Sequence, residues 1–382
     1  MKGIQRRRWT QTALVVAAGL ALLAPVGAAG EKADKKADAD GKKGEVIFLK
    51  APSGAGYVAA NDVNDEGQIV GFASSDYARA LRWNSPDSVP VELPALPGED
   101  GSWAGFMNER GEACGYSGHG AVIHAVVWDT KGRVESRHPN IAGYDASALY
   151  AINSKGDAVG YAYDTTGAVG FALMPLYAPE KGAASLLPLD LDRYYAYGLA
   201  TSINKHGRAC GFAPEITDGR YHALVWDDAG QPVDLHAEIL AAVGGIVVAT
   251  EAWKVLDSGE VVGVATDYPT RSIGWVWDED HGVRILADDG SALVTAWGGA
   301  GKRIVGFLDA GFWEGDLGAG RAAVWERTED KKGTKGWELT LLPTPTGYEA
   351  MTPTSCNTSG AIVGAARDGA GVVRGWYLKP KK

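Results

Sequence analysis

Apolar and polar positions follow a short pattern that recurs along most of the chain. One copy runs from Ile152 to Gly160, in the order apolar residue, Asn, two polar residues, Gly, two variable residues, apolar residue and Gly. This order is typical of a β-hairpin, in which one strand enters a tight turn that needs glycine at positive φ and a second strand runs back. A little further along, the chain usually reads Ala, two apolar residues and Trp. That segment predicts a third strand.

The pattern occurs seven times, and we number these repeats one to seven. The closing glycines are spaced by 44, 45, 51, 52, 43 and 58 residues and are Gly71, Gly115, Gly160, Gly211, Gly263, Gly306 and Gly364. Each complete repeat also contains a short fourth apolar run, such as Val91 to Leu93. Periods of this length with four strands each are typical of propeller blades. The sequence therefore predicts an all-β fold, a seven-bladed β-propeller of four-stranded antiparallel blades.

The two ends of the repeat region complement each other. Repeat seven stops after its third strand, at Tyr377 to Pro380, whereas Val46 to Lys50 precedes repeat one and resembles the fourth strands elsewhere. A strand supplied by the N-terminal segment would complete the last blade and remove an exposed sheet edge. We therefore expect the last blade to be closed by the N-terminal strand, within a single propeller domain that covers residues 45–382.

The first 29 residues have the features of a secretory signal peptide. Basic residues up to Arg8 precede a short apolar run, Ala13 to Leu23, and small residues follow as far as Ala29. The rival reading is a retained membrane anchor, for which the apolar run is short. Residues 30–44 are charged and poor in apolar side chains, which is typical of a solvated linker.

Charge and cysteine content narrow the possible partners. Removing four basic and no acidic residues with the signal takes the formal net charge from −10 to −14, which disfavours nucleic acid and anionic membrane surfaces. Three cysteines do not make a disulfide framework in an exported chain of this size. Cys114 and Cys210 occupy a motif position that is Val in other repeats, so we expect both to be buried.

The repeats resemble the HAF family of probable extracellular repeats. The family signature, Ile-Asn-x-x-Gly-x-Val-Val-Gly followed by His-Ala-Phe-x-Trp, is matched in its second half by His124 to Trp128 and His222 to Trp226, with smaller apolar residues in place of Phe. The resemblance covers roughly residues 57 to 378. It implies a secreted bacterial protein, periplasmic or extracellular, with propeller-like repeats. It carries no set of catalytic residues.

The repeated polar residues have structural explanations. His124 and His222 hold the same position in two repeats that are not adjacent, and Arg79 and Arg321 hold it elsewhere, so we expect strand-flanking side chains and no metal site. The repeated Asn is expected to hydrogen-bond its own turn, and the repeated Trp to pack between blades. No nucleophile elbow, zinc-protease, phosphate-loop or EF-hand motif is present, so we expect no cofactor.

Function should reside in the loops that do not repeat. The connections from second to third strands, and from fourth strands to the next first strands, emerge on one side of the predicted propeller, which we call the loop face. The opposite side, with the hairpin turns, is the motif face. Aromatic rings beside carboxylates and arginines suit the binding of sugars or peptides. The candidate ligand-binding residues are Tyr77, Trp103, Tyr144, Asp145, Arg193, Tyr194, Asp218, Tyr268, Arg271, Trp313 and Tyr348.

The leading hypothesis is a non-enzymatic, monomeric binding scaffold for a protein or glycan, with no membrane span after signal cleavage. Two alternatives remain open. One is a propeller hydrolase or lyase that acts on polysaccharide through acids such as Asp145, Asp192, Asp218 or Glu314. The other is a structural envelope protein. A clustered acid pair, a histidine set or an ion near the channel mouth would favour the enzyme, whereas a mouth lined by aromatics and amides would favour binding.

Overall fold

The computed structural model describes residues 45–169, 172–227, 230–244, 249–267, 271–291, 293–309, 320–329 and 335–380. The predicted signal peptide and linker lie outside these residues. Strands of repeats one to three follow β1 (Val46–Phe48) and are β2 (Tyr57–Val63), β3 (Ile69–Ser74), β4 (Ala78–Trp83), β5 (Val91–Leu93), β6 (Ser102–Met107), β7 (Ala113–His119), β8 (Val122–Trp128), β9 (Val134–Ser136), β10 (Ala146–Ile152), β11 (Ala158–Tyr163), β12 (Leu173–Ala178) and β13 (Ser185–Leu186).

The remaining repeats continue in the same order. Their strands are β14 (Leu199–Ile203), β15 (Ala209–Pro214), β16 (Tyr221–Trp226), β17 (Pro232–Asp234), β18 (Ala249–Val255), β19 (Val261–Asp267), β20 (Arg271–Asp278), β21 (Gly282–Ile285), β22 (Val294–Ala300), β23 (Arg303–Leu308), β24 (Arg321–Glu329), β25 (Lys335–Leu341), β26 (Tyr348–Cys356), β27 (Ile362–Asp368) and β28 (Val373–Leu378).

The sheets follow the sequence repeats. Repeats two to six each form one four-stranded antiparallel sheet, such as β10-β11-β12-β13. Repeats seven and one share an eight-stranded sheet, in which β1 pairs antiparallel with β28 and one parallel bridge, Tyr57 to Val373, joins β28 to β2. The prediction of an all-β fold with four-stranded antiparallel sheets is confirmed.

The first strands of successive repeats lie side by side. Contacts join β2 to β6, β6 to β10, and so on to β26, which in turn contacts β2. Each of these strands contains a one-residue bulge, and the bulged residues are Asn61, Gly105, Tyr150, Thr201, Trp253, Trp297 and Thr354. Several bulged side chains donate a hydrogen bond to the next first strand. Thr354 Oγ1, for example, donates to the Ala60 carbonyl at 2.7 Å.

One helix interrupts the β pattern among the described residues. Helix α1 (His236–Val243) lies between β17 and β18, where the sequence analysis placed only a connection. Its buried residues Ile239 and Val243 pack against repeats four and five, and Gly244 ends it in the left-handed conformation, with φ 81°. Ile239 and Val243 are four residues apart, which is the spacing of one face of a helix. An apolar pattern of only eight residues is too short to stand out from the β pattern on either side.

The repeated Asn has two roles, of which the sequence analysis identified one. Asn153 Oδ1 accepts from the amides of Lys155 (2.9 Å) and Asp157 (3.0 Å), as expected for a turn. Its amide group also donates to the Asn204 carbonyl of the next repeat, at 3.1 Å. Asn357 of repeat seven donates in the same way to the Asn64 carbonyl of repeat one, at 2.8 Å. Intra-turn bonding alone was therefore an incomplete explanation.

The two glycines of the motif also have different physical reasons. Gly156 has φ 92°, which the turn requires. A Cβ on Gly160 would lie 2.0 Å from the Ala148 carbonyl oxygen, because the bulge in β10 brings that strand against β11. The other six closing glycines face a first-strand carbonyl oxygen at 1.8–2.1 Å in the same way. The second glycine therefore fits the bulge rather than the turn.

Several of the repeated Trp side chains donate a hydrogen bond to a backbone carbonyl outside their own repeat. Trp128 is fully buried, and its Nε1 donates to the Pro94 carbonyl at 2.8 Å. Trp226 donates to the Pro188 carbonyl at 2.8 Å in the same manner, and Trp83 to the Lys50 carbonyl at 2.8 Å. For Trp128 and Trp226 the acceptor follows the fourth strand of the preceding sheet, whereas for Trp83 it follows β1, which belongs to the same eight-stranded sheet as Trp83.

The three cysteines pack in the interior of the protein. Cys114, Cys210 and Cys356 are buried and free, and burial raises the pKa of Cys210 and of Cys356 to about 12. Each thiol therefore stays protonated, which fits a packing role. Within the described ranges, no helix is long and apolar enough to cross a membrane.

Candidate functional site

The structure brings three of the eleven candidate residues together. Arg193, Tyr194 and Asp218 meet on the loop face of repeat four. Tyr144 and Asp145 lie at the entry to β10, where Asp145 accepts a hydrogen bond from the Thr165 amide at 2.7 Å. Tyr268 and Trp313 lie outside the described residues, as does Glu314.

Three further candidates are dispersed. Tyr77 is exposed and stacks beside His119, with ring centroids 6.3 Å apart. Tyr348 stacks on Phe48 of β1 at 4.4 Å and 13°, so its ring packs against the N-terminal strand. Arg271 begins β20 and is half-buried.

The placement of Trp103 in a ligand-binding loop was wrong. Trp103 lies in the first strand β6 and is 2 % exposed. Its ring stacks on Tyr116 at 5.5 Å and 15° and packs in the buried core. The loop ends before Trp103, because Ser102 and Trp103 already pair with Ser117 and Tyr116 in the sheet.

A group of half-buried rings extends from the loop face to the innermost strands. We call it the aromatic arc, and its members are Phe106, Tyr116, Tyr163, Tyr197, Tyr221 and Trp253. The arc rests on buried rings, as where Phe212 contacts Tyr221 and Trp253 at centroid distances of 5.3 Å each. Burial raises the pKa of Tyr163 to about 12 and raises that of Tyr221 further. The arc therefore offers ring faces, and its hydroxyl groups stay neutral, although those of Tyr197 and Tyr221 are buried.

One carboxyl group lies beneath the arc. Glu251 of β18 is 1 % exposed and accepts a hydrogen bond from Trp253 Nε1 at 3.2 Å. Desolvation by burial raises its pKa to about 8. Near neutral pH the group is therefore mostly the neutral acid, which a site of aromatic rings accommodates better than a carboxylate.

A second group, which we call the polar cluster, consists of Arg193, Tyr194, Asp218, His222, Asp234 and His236. Its centre is Asp234, at the end of β17. Tyr194 OH donates to Asp234 Oδ2 at 2.7 Å, and His222 Nδ1 lies 2.9 Å from the same oxygen. The backbone amide of His236 donates to Asp234 Oδ1 at 2.7 Å, and the Arg193 guanidinium pairs with the carboxylate.

The electrostatics of the polar cluster keep Asp234 ionised. Burial alone would raise its pKa, but hydrogen bonds from His222 and Tyr194 outweigh this and lower the pKa to about 2. Burial and the neighbouring His222 lower the pKa of His236 to about 4. His236 is therefore neutral at physiological pH, and its ring stacks on that of His222 at 3.8 Å and 5°.

Repeat two contains a partial copy of this arrangement. His124 and His138 hold the positions of His222 and His236, and both pairs are separated by 14 residues. His138 Nδ1 lies 2.7 Å from Ser147 Oγ, as His236 Nδ1 lies 2.9 Å from Thr250 Oγ1. The rings of His124 and His138 meet edge-on at 78° rather than stacked. This shared spacing was a sequence signal for His236 that the sequence analysis missed.

Two acids and two histidines cluster on the loop face, beside strands β16 and β17. Asp218 and Asp234 lie on opposite sides of the His222 ring, at 3.6 Å from Nε2 and 2.9 Å from Nδ1. A carboxylate–imidazole–carboxylate arrangement can hold or move a proton, or hold a cation. The aromatic arc can stack on flat apolar surfaces. The two groups are adjacent in the chain at Tyr221 and His222.

Comparison with solved structures identifies the fold. An oligogalacturonate lyase in complex with manganese has a TM-score of 0.55 and 12 % identity, covering 91 % of this chain and 96 % of that chain. TolB from Acinetobacter baumannii has a TM-score of 0.46 and 11 % identity over 73 % of this chain, and the match spans 64 % of TolB. YCF48 bound to D1 peptide gives 0.44 and 12 % over 90 % of this chain and 100 % of that chain.

The similarity to the oligogalacturonate lyase supports a propeller-like fold and shows nothing about activity, because the identity is low. No protein-family model matches the chain, and no curated protein matches it significantly.

Proposed function

We propose that this protein is an exported binding scaffold, a seven-bladed propeller closed by β1, which binds a glycan through the aromatic arc on its loop face. The observation that carries the proposal is the arc itself. Rings from repeats two to five are half-buried against one buried core that itself contains aromatic rings, and the neutral Tyr163 hydroxyl group lies among them. Aromatic rings stack on the apolar faces of sugars, and hydroxyl groups form hydrogen bonds with the hydroxyl groups at the sugar edges.

Three independent contacts support a closed ring of seven blades. The first strands contact one another in sequence, and β26 returns to β2. Asn357 and Thr354 of repeat seven bond to repeat one just as earlier repeats bond to their successors. Trp83 donates to the Lys50 carbonyl after β1, as Trp128 and Trp226 do after fourth-strand segments. In this reading β1 is the fourth strand of the last blade.

Export and the HAF-like character of the repeats belong to the same proposal. They rest on residues 1–29 and on the segments His124 to Trp128 and His222 to Trp226. A monomeric scaffold with a strongly acidic surface suits a neutral or amino sugar better than an acidic one, because a polyanion would be repelled. A protein ligand is the other outcome of the test below.

The polar cluster gives the enzymatic alternative a specific basis. Asp218 and Asp234 flank His222 on the loop face, and paired acids with a histidine are what a hydrolase or lyase needs for proton transfer. The two readings differ in one observable property. A scaffold leaves its oligosaccharide intact, whereas an enzyme releases shorter products.

Calorimetric titration with neutral, amino and uronate hexasaccharides tests the scaffold. We expect the neutral or amino class to bind, and Tyr163→Ala to weaken binding about tenfold, or ~1.4 kcal/mol, by removing a ring from the arc. The control is Tyr177→Ala in the same sheet. Tyr177 pairs with Val159 beside the hairpin turn, on the motif face, so its loss should change affinity by less than about twofold.

The outcomes are distinguishable. Absence of binding by all three sugar classes, or equal losses in the two variants, contradicts the assignment of the arc. Mass spectrometry of the incubated sugars supplies the second readout. Shortened products would replace the scaffold by the hydrolase or lyase.

A further inference from the structure

We propose that Asp218, His222 and His236 bind a Zn²⁺ ion on the loop face of repeat four. One ligand atom from each residue lies within 4.8 Å of the other two. The three residues come from different segments: the loop before β16, β16 itself and the first turn of α1. This site does not depend on glycan binding.

The first candidate ligand atom is Nε2 of His222. The side chain is 8 % exposed, and its Nδ1 lies 2.9 Å from Asp234 Oδ2. An ionised carboxylate can only accept, so Nδ1 donates to Asp234 and Nε2 is the ring atom available to a ligand. Buried Nε2 has no hydrogen-bond partner among the described residues, and it faces Asp218 Oδ2 at 3.6 Å. An unprotonated Nε2 and Asp218 Oδ2 are both acceptors, so a cation between them, a proton or a metal ion, is favoured. The 3.6 Å separation is too long for a direct N–H···O hydrogen bond and leaves room for a shared metal ion.

Asp234 is placed as the outer support of a metal ligand. Metal-bound histidines almost always donate their other ring N–H to a carboxylate or carbonyl, which fixes the tautomer and the ring orientation. Tyr194 and Arg193 hold the Asp234 carboxylate from its other sides. The cluster thus supplies both the ligand and the group that orients it.

His236 supplies the second nitrogen. Its Nδ1 lies 2.9 Å from Thr250 Oγ1, which also accepts the Ala223 amide at 3.0 Å. With Nδ1 donating to Thr250, Nε2 is the atom left for a ligand. The lone pairs of two parallel rings do not converge, so we expect the His236 ring to turn out of the stack on binding, while the bond to Asp234 holds the His222 ring.

Asp218 supplies the oxygen. Its Oδ1 accepts the Arg220 amide at 2.9 Å, whereas Oδ2 faces His222, with Arg220 Nε no closer than 3.8 Å. Two imidazoles and one carboxylate suit Zn²⁺, which prefers four ligands in a tetrahedron. The fourth position would remain open toward the loop face, as it does in catalytic rather than structural zinc sites.

The chain contains two natural controls. His124 and His138 share the histidine positions, but in repeat two Glu99 lies 2.5 Å from His124 Nδ1, and Gly120 and Ala121 replace the acid of the loop. A second group, Asp278, Asp280 and His281, is more exposed, and Asp278 already bonds His281 and pairs with Arg284. Neither place combines a buried, unpartnered imidazole nitrogen with a third ligand.

Titration of the purified, chelator-treated protein with ZnCl₂ tests the proposal. We expect one Zn²⁺ per chain. Losing a ligand, in His236→Ala or Asp218→Asn, should weaken affinity by more than about 100-fold, and losing the outer support, in Asp234→Asn, by about 10–100-fold. His138→Ala and His281→Ala should stay within about twofold. Asp218 is exposed, so Asp218→Asn remains decisive if His236→Ala fails to fold.

Co²⁺ absorption gives a second readout. A tetrahedral ligand field should appear in the wild type and disappear in Asp218→Asn. Absence of a saturable 1:1 site, equal losses in His138→Ala, or tighter binding of Mn²⁺ or Ca²⁺ than of Zn²⁺ at these residues would each overturn the zinc assignment.

Discussion

Replacing Gly160 by alanine should destabilise the protein by about 3 kcal/mol or more, at the upper end of overpacking costs. The new Cβ would lie 2.0 Å from the Ala148 carbonyl oxygen and 2.8 Å from Leu149 Cα. Both atoms belong to the backbone of a first strand, so no side chain can turn away to relieve the contact. The bulge would have to move, together with the contacts of β10 to its neighbours. Chemical denaturation of the purified variant measures the change.

Gly56→Ala is the matched control for Gly160→Ala. A Cβ at Gly56 meets nothing within 4 Å, so the same substitution should be neutral or stabilise the protein by up to about 1 kcal/mol. Similar unfolding midpoints for the two variants would contradict the close approach at the closing glycine.

Glu251→Gln should change how stability depends on pH. The pKa of Glu251 is raised by burial from 4.5 to about 8. Between these values the unfolded chain releases the proton and the folded chain keeps it, so wild-type stability falls as pH rises, by at most about 1.4 kcal/mol per pH unit. The glutamine variant lacks this decline. From pH 5 to pH 8 it should therefore gain a few kcal/mol relative to wild type.

Unfolding midpoints at pH 5, 6, 7 and 8 measure this difference. Glu66→Gln removes one exposed carboxylate and controls for the change in net charge. Parallel pH profiles for the wild type and Glu251→Gln would show that the carboxyl group ionises without cost and is therefore solvated.

Most of the strands could be predicted from the repeat pattern. Asn153 and Gly156 are needed by a local turn. Residues that a local turn needs can be identified from sequence, because they recur at fixed spacings. The hydrogen bond from Asn153 to the next repeat could not be predicted, since its acceptor is a backbone carbonyl that any residue provides. The need for glycine at position 160 could not be predicted either, because it arises from a bulge in another strand.

The candidate site was only partly predictable. Arg193, Tyr194 and Asp218 were selected because loops carry function, and they do meet. Asp234 and His236 were missed because each lies beside a regular element, one ending β17 and one beginning α1, and only the fold brings them to His222. Trp103 shows the converse error, because an aromatic beside a loop was buried by its strand.

The proposed closure of the ring by β1 is the central claim about the fold, since an open ring would leave β28 without its outer partner strand. In the register of the two strands Val46 faces Leu378. The double variant Val46→Cys/Leu378→Cys therefore tests closure directly. The native cysteines are buried and should not compete. The control is Val46→Cys/Val372→Cys, displaced by six residues or about 20 Å along the strand.

We predict that mild oxidation forms an intramolecular disulfide in Val46→Cys/Leu378→Cys and not in the control, as read by gel mobility and peptide mass. Closure of the ring by the N-terminal strand would be contradicted if the folded Val46→Cys/Leu378→Cys protein kept free thiols or formed only intermolecular disulfides.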